Sequence, residues 1–375
     1  MKKTIIITSL AVTFLSVFGP SCYAQQSETT QELYAKGQVN EVTEQKIEIQ
    51  PDNPLYDPTK EQSQFHTIQN VTFEVLEGEY KGTIFESTNE ITGQIYDIYL
   101  EKGDTVMLFL NVDGEQIEGY ATDFIRNNTM IVFVALFFLG LILLGKMKGL
   151  KALISLIVTI GAIFFILIPL TIQGYDALLI ATCVSIAISL ITITLIAGIN
   201  KKALSAIIGT VFGVLCAALI AYFVGNISLL TGLSGEDARI LYINRPELNF
   251  SHIFFASIMI GALGAVMDVG MSIASSVNEI YLANKSISGK KLFEAGMQVG
   301  KDIMGTMSNT LILAYVGSSF PLLLLFAMDN FDFMHVINFD FIAAEIVRSI
   351  SGSFGLLLAI PVTALASSLL IRKRT

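Results

Sequence analysis

The stretch Ile253–Asn284, IFFASIMIGALGAVMDVGMSIASSVNEIYLAN, decides the fold, because it is apolar enough to enter a bilayer yet contains an aspartate well inside. Helical spacing from Asp268 places Ser272, Ser275 and Glu279 on one face. An ionised carboxylate at the middle of a bilayer costs about 2.5–3.5 kcal/mol on insertion scales. The stripe is therefore predicted to face protein or water. The alternative is a glycine-rich packing helix with a buried, protonated aspartate.

The composition indicates a membrane protein that also has a soluble part. The chain has 375 residues, of which 53% are hydrophobic and 15% charged, and its mean hydropathy is +0.64. Residues 25–126 hold 20 acidic and 6 basic residues, whereas the rest of the chain beyond them holds 12 and 15. The acidity thus belongs to one segment, and no basic patch indicates a nucleic-acid partner.

Cys183 and Cys216 lie in apolar runs, so neither a disulfide framework nor a metal site or cofactor is predicted.

The first 24 residues are typical of a secretory signal peptide. Lys2 and Lys3 precede an apolar run, and Cys22 and Ala24 are small residues suited to cleavage before Gln25. An uncleaved membrane anchor is the alternative.

Seven apolar runs downstream reach membrane-spanning length. They lie at about 127–145, 150–170, 175–198, 203–225, 253–280, 303–327 and 342–371. The connections on one side and the C-terminus hold twelve lysines and arginines, whereas those on the other side hold only Arg239 and Arg245. This asymmetry predicts a cytoplasmic C-terminus and an extracytoplasmic segment 25–126.

Residues 25–126 are predicted to form a small β domain. The segments Val71–Leu76, Gly82–Phe85, Gln94–Tyr99 and Val106–Val112 are rich in β-branched and aromatic residues and are separated by turn signals. Five or six such strands predict a small, partly open barrel of OB-like topology. The predicted fold class is therefore mixed: a signal peptide (1–24), this β domain (25–126) and a seven-helix transmembrane bundle (127–375).

Polar groups in the last three spans are the candidate site. Asp302, Thr306 and Asn309 share a face of the sixth span, and Pro321 is expected to kink its outer half. Glu345 and Arg348 are placed to pair at the start of the seventh span. A pair that only fixes packing is the alternative there. Between spans four and five, Ser234 is predicted to cap a short helix that ends before Pro246 and covers the mouth of the bundle.

Three stretches resemble the YibE/F-like family of bacterial multi-pass membrane proteins. They are Gly261–Asp268 (GALGAVMD), Asp302–Thr310 (DIMGTMSNT) and Glu345–Ser349 (EIVRS), together with the Gly-Leu-Ser-Gly-Glu-Asp turn at 232–237. The resemblance covers about 127–375. It implies a plasma-membrane protein with an N-terminal extracytoplasmic domain, and a paired membrane protein of the same family as a partner. A homo-oligomer is the other expectation. The resemblance implies no settled activity.

Polar groups at two depths in the membrane, on three consecutive helices, favour transport over a single reaction centre. A secondary transporter or permease component is the first hypothesis, with its coupling group and path drawn from Asp268, Ser272, Glu279, Asp302, Thr306, Asn309, Glu345 and Arg348. The chain has no GxxxxGK[ST] loop for ATP hydrolysis.

Two alternatives remain open from the residues. A membrane-anchored assembly or sensing component would bind its partner through the β domain. An intramembrane enzyme is disfavoured, so no catalytic residue is predicted. The three histidines lie outside the apolar core, which leaves a zinc or serine protease without a ligand or base. Asp268 lacks the setting of an aspartate-dyad protease.

Overall fold

The structure is a computed structural model that describes residues 32–48, 65–91, 97–113, 116–328 and 332–372. The predicted signal peptide lies outside these residues. The chain divides into two compact units, the first ending at Leu139 and the second continuing from Gly140.

The N-terminal unit contains one antiparallel sheet of five strands. They are β1 (Glu32–Glu48), β2 (Phe65–Val75), β3 (Ile84–Ile91), β4 (Thr105–Asp113) and β5 (Gln116–Phe124), in the order β3-β2-β1-β4-β5. The long strand β1 is central because it pairs with both β2 and β4. The two ends of the sheet approach each other. A Cβ added to Gly119 on β5 would lie 3.2 Å from the ring of Phe85 on β3. The sheet therefore curves into a half-barrel.

One predicted strand, Gln94–Tyr99, is wrong in its described part. The segment assigned to Gln94–Tyr99 has no strand structure at residues 97–99, and residues 92–96 lie outside the described part. Side chains occupy its backbone groups instead. The amide of Gln69, which is fully buried, accepts from Leu100 N–H at 3.1 Å and donates to Leu100 C=O at 3.0 Å. Asn89 donates to Ile98 C=O at 2.7 Å. The segment is thus held by amide side chains, which satisfy its buried polar groups.

The second part of the chain is helical. Its helices are α1 (Asn127–Ala162), α2 (Ile168–Ile172), α3 (Ala177–Ala197), α4 (Lys201–Ile227), α5 (Glu236–Asn244), α6 (Phe250–Ala283), α7 (Gly289–Ser318), α8 (Phe320–Met328), α9 (Phe333–Val336) and α10 (Asp340–Arg372). A π-helical turn at Ile163–Leu167 joins α1 to α2. Among the described residues, five helical segments are long and apolar enough to cross a membrane, and α7 with α8 adds a bent sixth.

The first apolar helix is interrupted at Lys146. This residue has φ 48° and ψ −128°, which no helix contains. A Cβ added to Gly149 would lie 1.8 Å from the carbonyl oxygen of Leu141. In a continuous helix those residues would be about 12 Å apart along the axis. The chain therefore folds back on itself at Lys146.

Helix α6 lies at the centre of the helical unit and packs against α3, α4, α7 and α10. Glycines permit the closest contacts. A Cβ added to Gly213 on α4 would lie 2.6 Å from the carbonyl of Gly355 on α10, and the reverse distance is the same. Contacts this close place the backbones of α4 and α10 against each other. The fully buried side chains of α6 include Phe255, Ile258 and Ile273.

Helices α7 and α8 form one broken element. Their axes differ by 62°, and the break falls at Ser319, just before Pro321. Proline has no N–H to continue the helical ladder, so its position accounts for the break that the sequence predicts there. Helix α7 runs antiparallel to α6, because Gly296 packs on Val277 and Gly300 on Ile273.

Candidate functional site

The ion pair between Glu345 and Arg348 lies in the first turns of α10. The Arg348 Nη1 donates to Glu345 Oε1, as the i, i+3 spacing predicts, and each side chain is about one quarter exposed (25% and 26%). The Glu345 Oε2 and the Arg348 Nε are buried without a hydrogen-bond partner among the described residues. Each charged group therefore retains hydrogen-bonding capacity beyond the pair.

Aromatic residues of α6 and α7 surround this pair. The Arg348 guanidinium lies over the ring of Phe254, with its carbon 5.3 Å from the ring centroid. Tyr315 is in electrostatic range of both charges. Its buried hydroxyl would lie 2.4 Å from a Cβ added to Gly261. The absence of a side chain at Gly261 makes room for that hydroxyl.

A cavity of about 520 Å³ opens beside the ion pair. We call it the Arg348 cavity. Its charged lining residues are Asp237, Glu345 and Arg348. Phe254 and Phe341 form apolar walls, and Ser319 brings the break between α7 and α8 to the cavity. A volume in this range suits a small organic ligand.

The short helix α5 contributes one wall of the Arg348 cavity. Its N-cap is Gly235 without a side-chain cap, so the predicted capping role of Ser234 is wrong. Ser234 lines the cavity instead. The helix ends at Asn244, with Arg245 as its C-cap, before Pro246 as predicted. The Arg245 Nη2 donates to the carbonyl of Ile172 at 2.8 Å. The start of the helix is therefore at the cavity, and its far end is tied to α2.

Asp268 does not belong to the Arg348 cavity. It lies on α6 about 21 Å along the axis from Phe254, at about 1.5 Å per residue. The side chain is exposed, and it makes no hydrogen bond or ion pair with any residue that the structure describes. The antiparallel register of α6 and α7 places it level with Gly305. An added Cβ at Gly264 or Gly305 would meet nothing within 4 Å. The residues that the structure describes thus leave the surface around Asp268 uncovered.

The other predicted site residues lie on this same uncovered surface. Ser272 and Glu279 are exposed on α6, and Asp302, Thr306 and Asn309 are exposed on α7. Asp302 accepts a hydrogen bond from Gln298 at 3.3 Å. The structure therefore separates the predicted set into a cavity group, Glu345 and Arg348, and a surface group on α6 and α7.

A hydrogen-bonded pair, Asp176 and His252, joins the starts of α3 and α6. The His252 Nδ1 lies 2.5 Å from Asp176 Oδ2, and the Asp176 carboxylate also accepts from Leu179 N–H at 2.9 Å as the N-cap of α3. Burial by itself would raise the pKa of Asp176. The hydrogen bonds from Leu179 and His252 outweigh that effect and hold the pKa below its ordinary value.

Two residues near the ion pair escaped the sequence reasoning. Phe254 is one of several phenylalanines in α6, and no pattern distinguishes it from core residues. Tyr315 lies seven residues after Ser308, so the two polar groups share a face of α7, and both are buried without a partner among the described residues. That i, i+7 spacing was a usable signal.

A larger cavity, of about 710 Å³, lies near the C-terminal end of α10. Its lining includes Ile208, Leu365 and Leu369, with Arg372 as its charged residue. It has few polar groups to orient a solute, so the Arg348 cavity is the better candidate site. No group of three or more metal-ligating side chains occurs among the described residues.

The long apolar helices, the broken helix and the separate sheet define a multi-pass membrane protein with an N-terminal β domain. Residues 133–373 match the family model described as YibE/F-like protein, and residues 32–124 match the YibE/F family N-terminal domain. The chain therefore belongs to the YibE/F-like family. Comparisons with curated proteins and with solved structures gave no match.

Proposed function

We propose that this protein is a secondary transporter or a permease component that moves a small polar solute across the plasma membrane. The observation that supports this is the position of the Arg348 cavity at the break between α7 and α8. In membrane transporters, broken helices place unpaired backbone groups beside the solute. Charged residues inside a membrane bundle commonly mark solute or ion pathways.

The proposal includes a bundle of seven spans and an OB-like barrel. The reversal at Lys146 divides α1 into two apolar helices, and with the bent α7–α8 element this makes seven. The approach of Gly119 to Phe85 favours a partly closed barrel. The lysine and arginine asymmetry favours an extracytoplasmic β domain and a cytoplasmic C-terminus.

In this proposal Asp268 is the coupling group. Ser272 and Asn309 lie near it on a surface that the described part of the chain leaves uncovered. A carboxylate at this depth is costly in contact with lipid, so we propose that a partner chain covers the surface. The partner is a second copy or a paired family member. Between the two chains the polar groups would line a water-accessible route.

Reconstitution of the full chain in liposomes with an internal pH-sensitive dye tests the proposal. A panel of amino acids, small organic cations and inorganic ions is added outside. We expect at least one solute to move together with protons in the wild type, and the coupled proton movement to be lost in Asp268→Asn. Asp332→Asn, at an exposed position before α9, is the matched control. Equal coupled flux in Asp268→Asn rules Asp268 out. If no solute enters protein-containing liposomes faster than empty ones, the transport proposal fails.

One observation favours an assembly or sensing role for the β domain. Tyr34, Phe109 and Tyr120 are cross-strand neighbours on β1, β4 and β5, with ring centroids 5.4 and 5.3 Å apart. Tyr34 and Tyr120 are more than half exposed. An exposed aromatic row is typical of a partner-binding surface.

Deletion of residues 25–126 separates the two candidate functions. Retained solute flux in liposomes together with a retained cellular phenotype favours transport by the helical part alone. Retained membrane insertion with complete loss of the cellular phenotype, while flux in liposomes is unchanged, favours the binding role. Tyr34→Ala with Tyr120→Ala should reproduce that second result if the aromatic row is the binding surface.

A further inference from the structure

The charges that line the Arg348 cavity do not cancel. Arg348 is paired with Glu345, and these two are neutral together. Asp237, on the first turn of α5, also lines the cavity. It makes no hydrogen bond or ion pair with any residue that the structure describes. The lining therefore has a net charge of about −1, which attracts a cation into a space with low-dielectric walls.

One helix end at the cavity, the C-terminus of α7, agrees with that sign, and the adjacent N-terminus of α8 has the opposite partial charge. Helix α7 ends at Ser318, and its cap residue Ser319 lines the cavity. The C-terminus of a helix bears a partial negative charge. The N-terminus of α5, which has the opposite sign, already has Glu236 and Asp237 in its first turn. An anion in the cavity would meet the Asp237 carboxylate.

The remaining walls are apolar and aromatic. Phe250, Phe254 and Phe341 line the cavity together with Ile253, Leu241 and Leu322. Aromatic faces attract cations that are weakly hydrated, and apolar walls select against small inorganic ions that hold their water. A strongly hydrated ion would leave these walls unused.

We propose that the Arg348 cavity binds a monovalent organic cation that has an aromatic or aliphatic group. Its charged nitrogen lies near Asp237, and its apolar part lies among the phenylalanines. This assignment rests on the proposed transport function only in naming the solute class of that site. The binding itself is measurable without transport.

The test uses the purified full chain in detergent and titration calorimetry with benzyltrimethylammonium. We expect saturable binding to the wild type. Phenylacetate, an anion of similar size, and neopentylbenzene, the uncharged carbon isostere, should bind at least about tenfold more weakly. Tighter binding of phenylacetate, or no saturable binding of the cation, overturns the proposal.

Asp237→Asn should weaken binding of the cation by about tenfold or more, and Asp237→Glu should restore most of it. Glu236→Gln is the matched control, since Glu236 is the neighbouring carboxylate on α5 but does not line the cavity. We expect its affinity to stay within about twofold of the wild type. Equal affinity in Asp237→Asn and Glu236→Gln contradicts the assignment.

Comparison with the liposome assay separates the two proposals. Cation binding without solute movement supports the proposed binding site and contradicts the proposed transport function. Movement of a different solute, without binding of the cation, removes only the assignment of this solute class.

Discussion

The guanidinium of Arg348 on α10 lies over the ring of Phe254 on α6, with its central carbon 5.3 Å from the ring centroid. The same guanidinium is paired with Glu345 on its own helix. One cation thus pairs with a carboxylate and packs on a neighbouring helix at once. This arrangement fixes the start of α10 against α6, at the place where α7 breaks.

Removal of one member of this pair should destabilise the helical unit. Arg348→Ala leaves Glu345 as a largely buried carboxylate without a partner, at a cost of about 3 kcal/mol. Replacement of both residues, Glu345→Gln with Arg348→Gln, should recover most of the loss. Thermal unfolding in detergent measures both variants.

The control for the ion pair is Asp123 with Arg126, which has the same i, i+3 spacing and an N–O distance of 2.7 Å. Its side chains are 58% and 57% exposed. Arg126→Ala should therefore change the free energy of unfolding by less than about 1 kcal/mol. Equal effects of Arg126→Ala and Arg348→Ala would show that partial burial of the Glu345–Arg348 pair has no energetic role.

Glycines at the α4–α10 contact should be far less tolerant than glycines on the uncovered surface. A Cβ at Gly213 would lie 2.6 Å from a backbone carbonyl and 2.8 Å from Val266, so Gly213→Ala should destabilise by about 1–3 kcal/mol. Gly264→Ala meets open space and gains helix propensity, and should stabilise by up to about 1 kcal/mol. Melting temperatures in detergent compare the two.

A destabilised Gly264→Ala would point to a closely packed partner at that surface. If the destabilisation of Gly264→Ala disappears when the protein is diluted, a partner is indicated, because a partner's contribution to stability depends on its concentration. Destabilisation that does not change with protein concentration would contradict the open surface around Asp268.

Features that depend on local sequence were predictable, and close tertiary contacts were not. Hydropathy located the apolar helices, and Pro321 located the break, because both effects depend on local chemistry. The i, i+3 spacing predicted the Glu345–Arg348 bond for the same reason. Strand β1 was missed because it contains many charged and amide side chains; its length follows from pairing with two neighbours.

The candidate site was only partly predictable. The spacing of Asp268, Ser272 and Glu279 showed that they share a face, but helical periodicity does not say which face a neighbour covers. In the structure that face is exposed. The role of Asp237 in the Arg348 cavity was also hidden, because it depends on how α5 folds back over α6 and α10.

The Gln69 amide should be essential for the segment that follows β3. Gln69→Ala leaves the N–H and the C=O of Leu100 without their partners, and each unsatisfied buried group costs about 1–3 kcal/mol. Hydrogen exchange of the Leu100 amide in the full chain should become faster. Thr43→Ala is the control, because Thr43 bonds a backbone carbonyl in an exposed position. Unchanged exchange in Gln69→Ala would contradict the role of the amide.

The bond between Tyr99 and Glu44 predicts a pH-dependent contribution to the stability of the β domain. The hydroxyl of Tyr99 donates to Glu44 Oε1, and Gln69 donates to the same oxygen at 2.9 Å. Both hydrogen bonds lower the pKa of Glu44, and the one from Tyr99 has the larger effect. The same hydrogen bond raises the pKa of Tyr99. The contribution of Glu44 is therefore present above its unfolded pKa of about 4.3 and lost as the pH falls through the folded value.

The raised pKa of Tyr99 acts in the opposite direction. Its contribution is present below the unfolded pKa of about 10 and lost as the pH rises through the folded value. The melting temperature of Tyr99→Phe should thus be lower than that of the wild type near neutral pH, and the difference should shrink towards both extremes. Tyr120→Phe, on the exposed aromatic row, is the control. A difference for Tyr99→Phe that is the same at pH 3 and pH 7 would contradict the linkage, because protonated Glu44 no longer offers a charged acceptor.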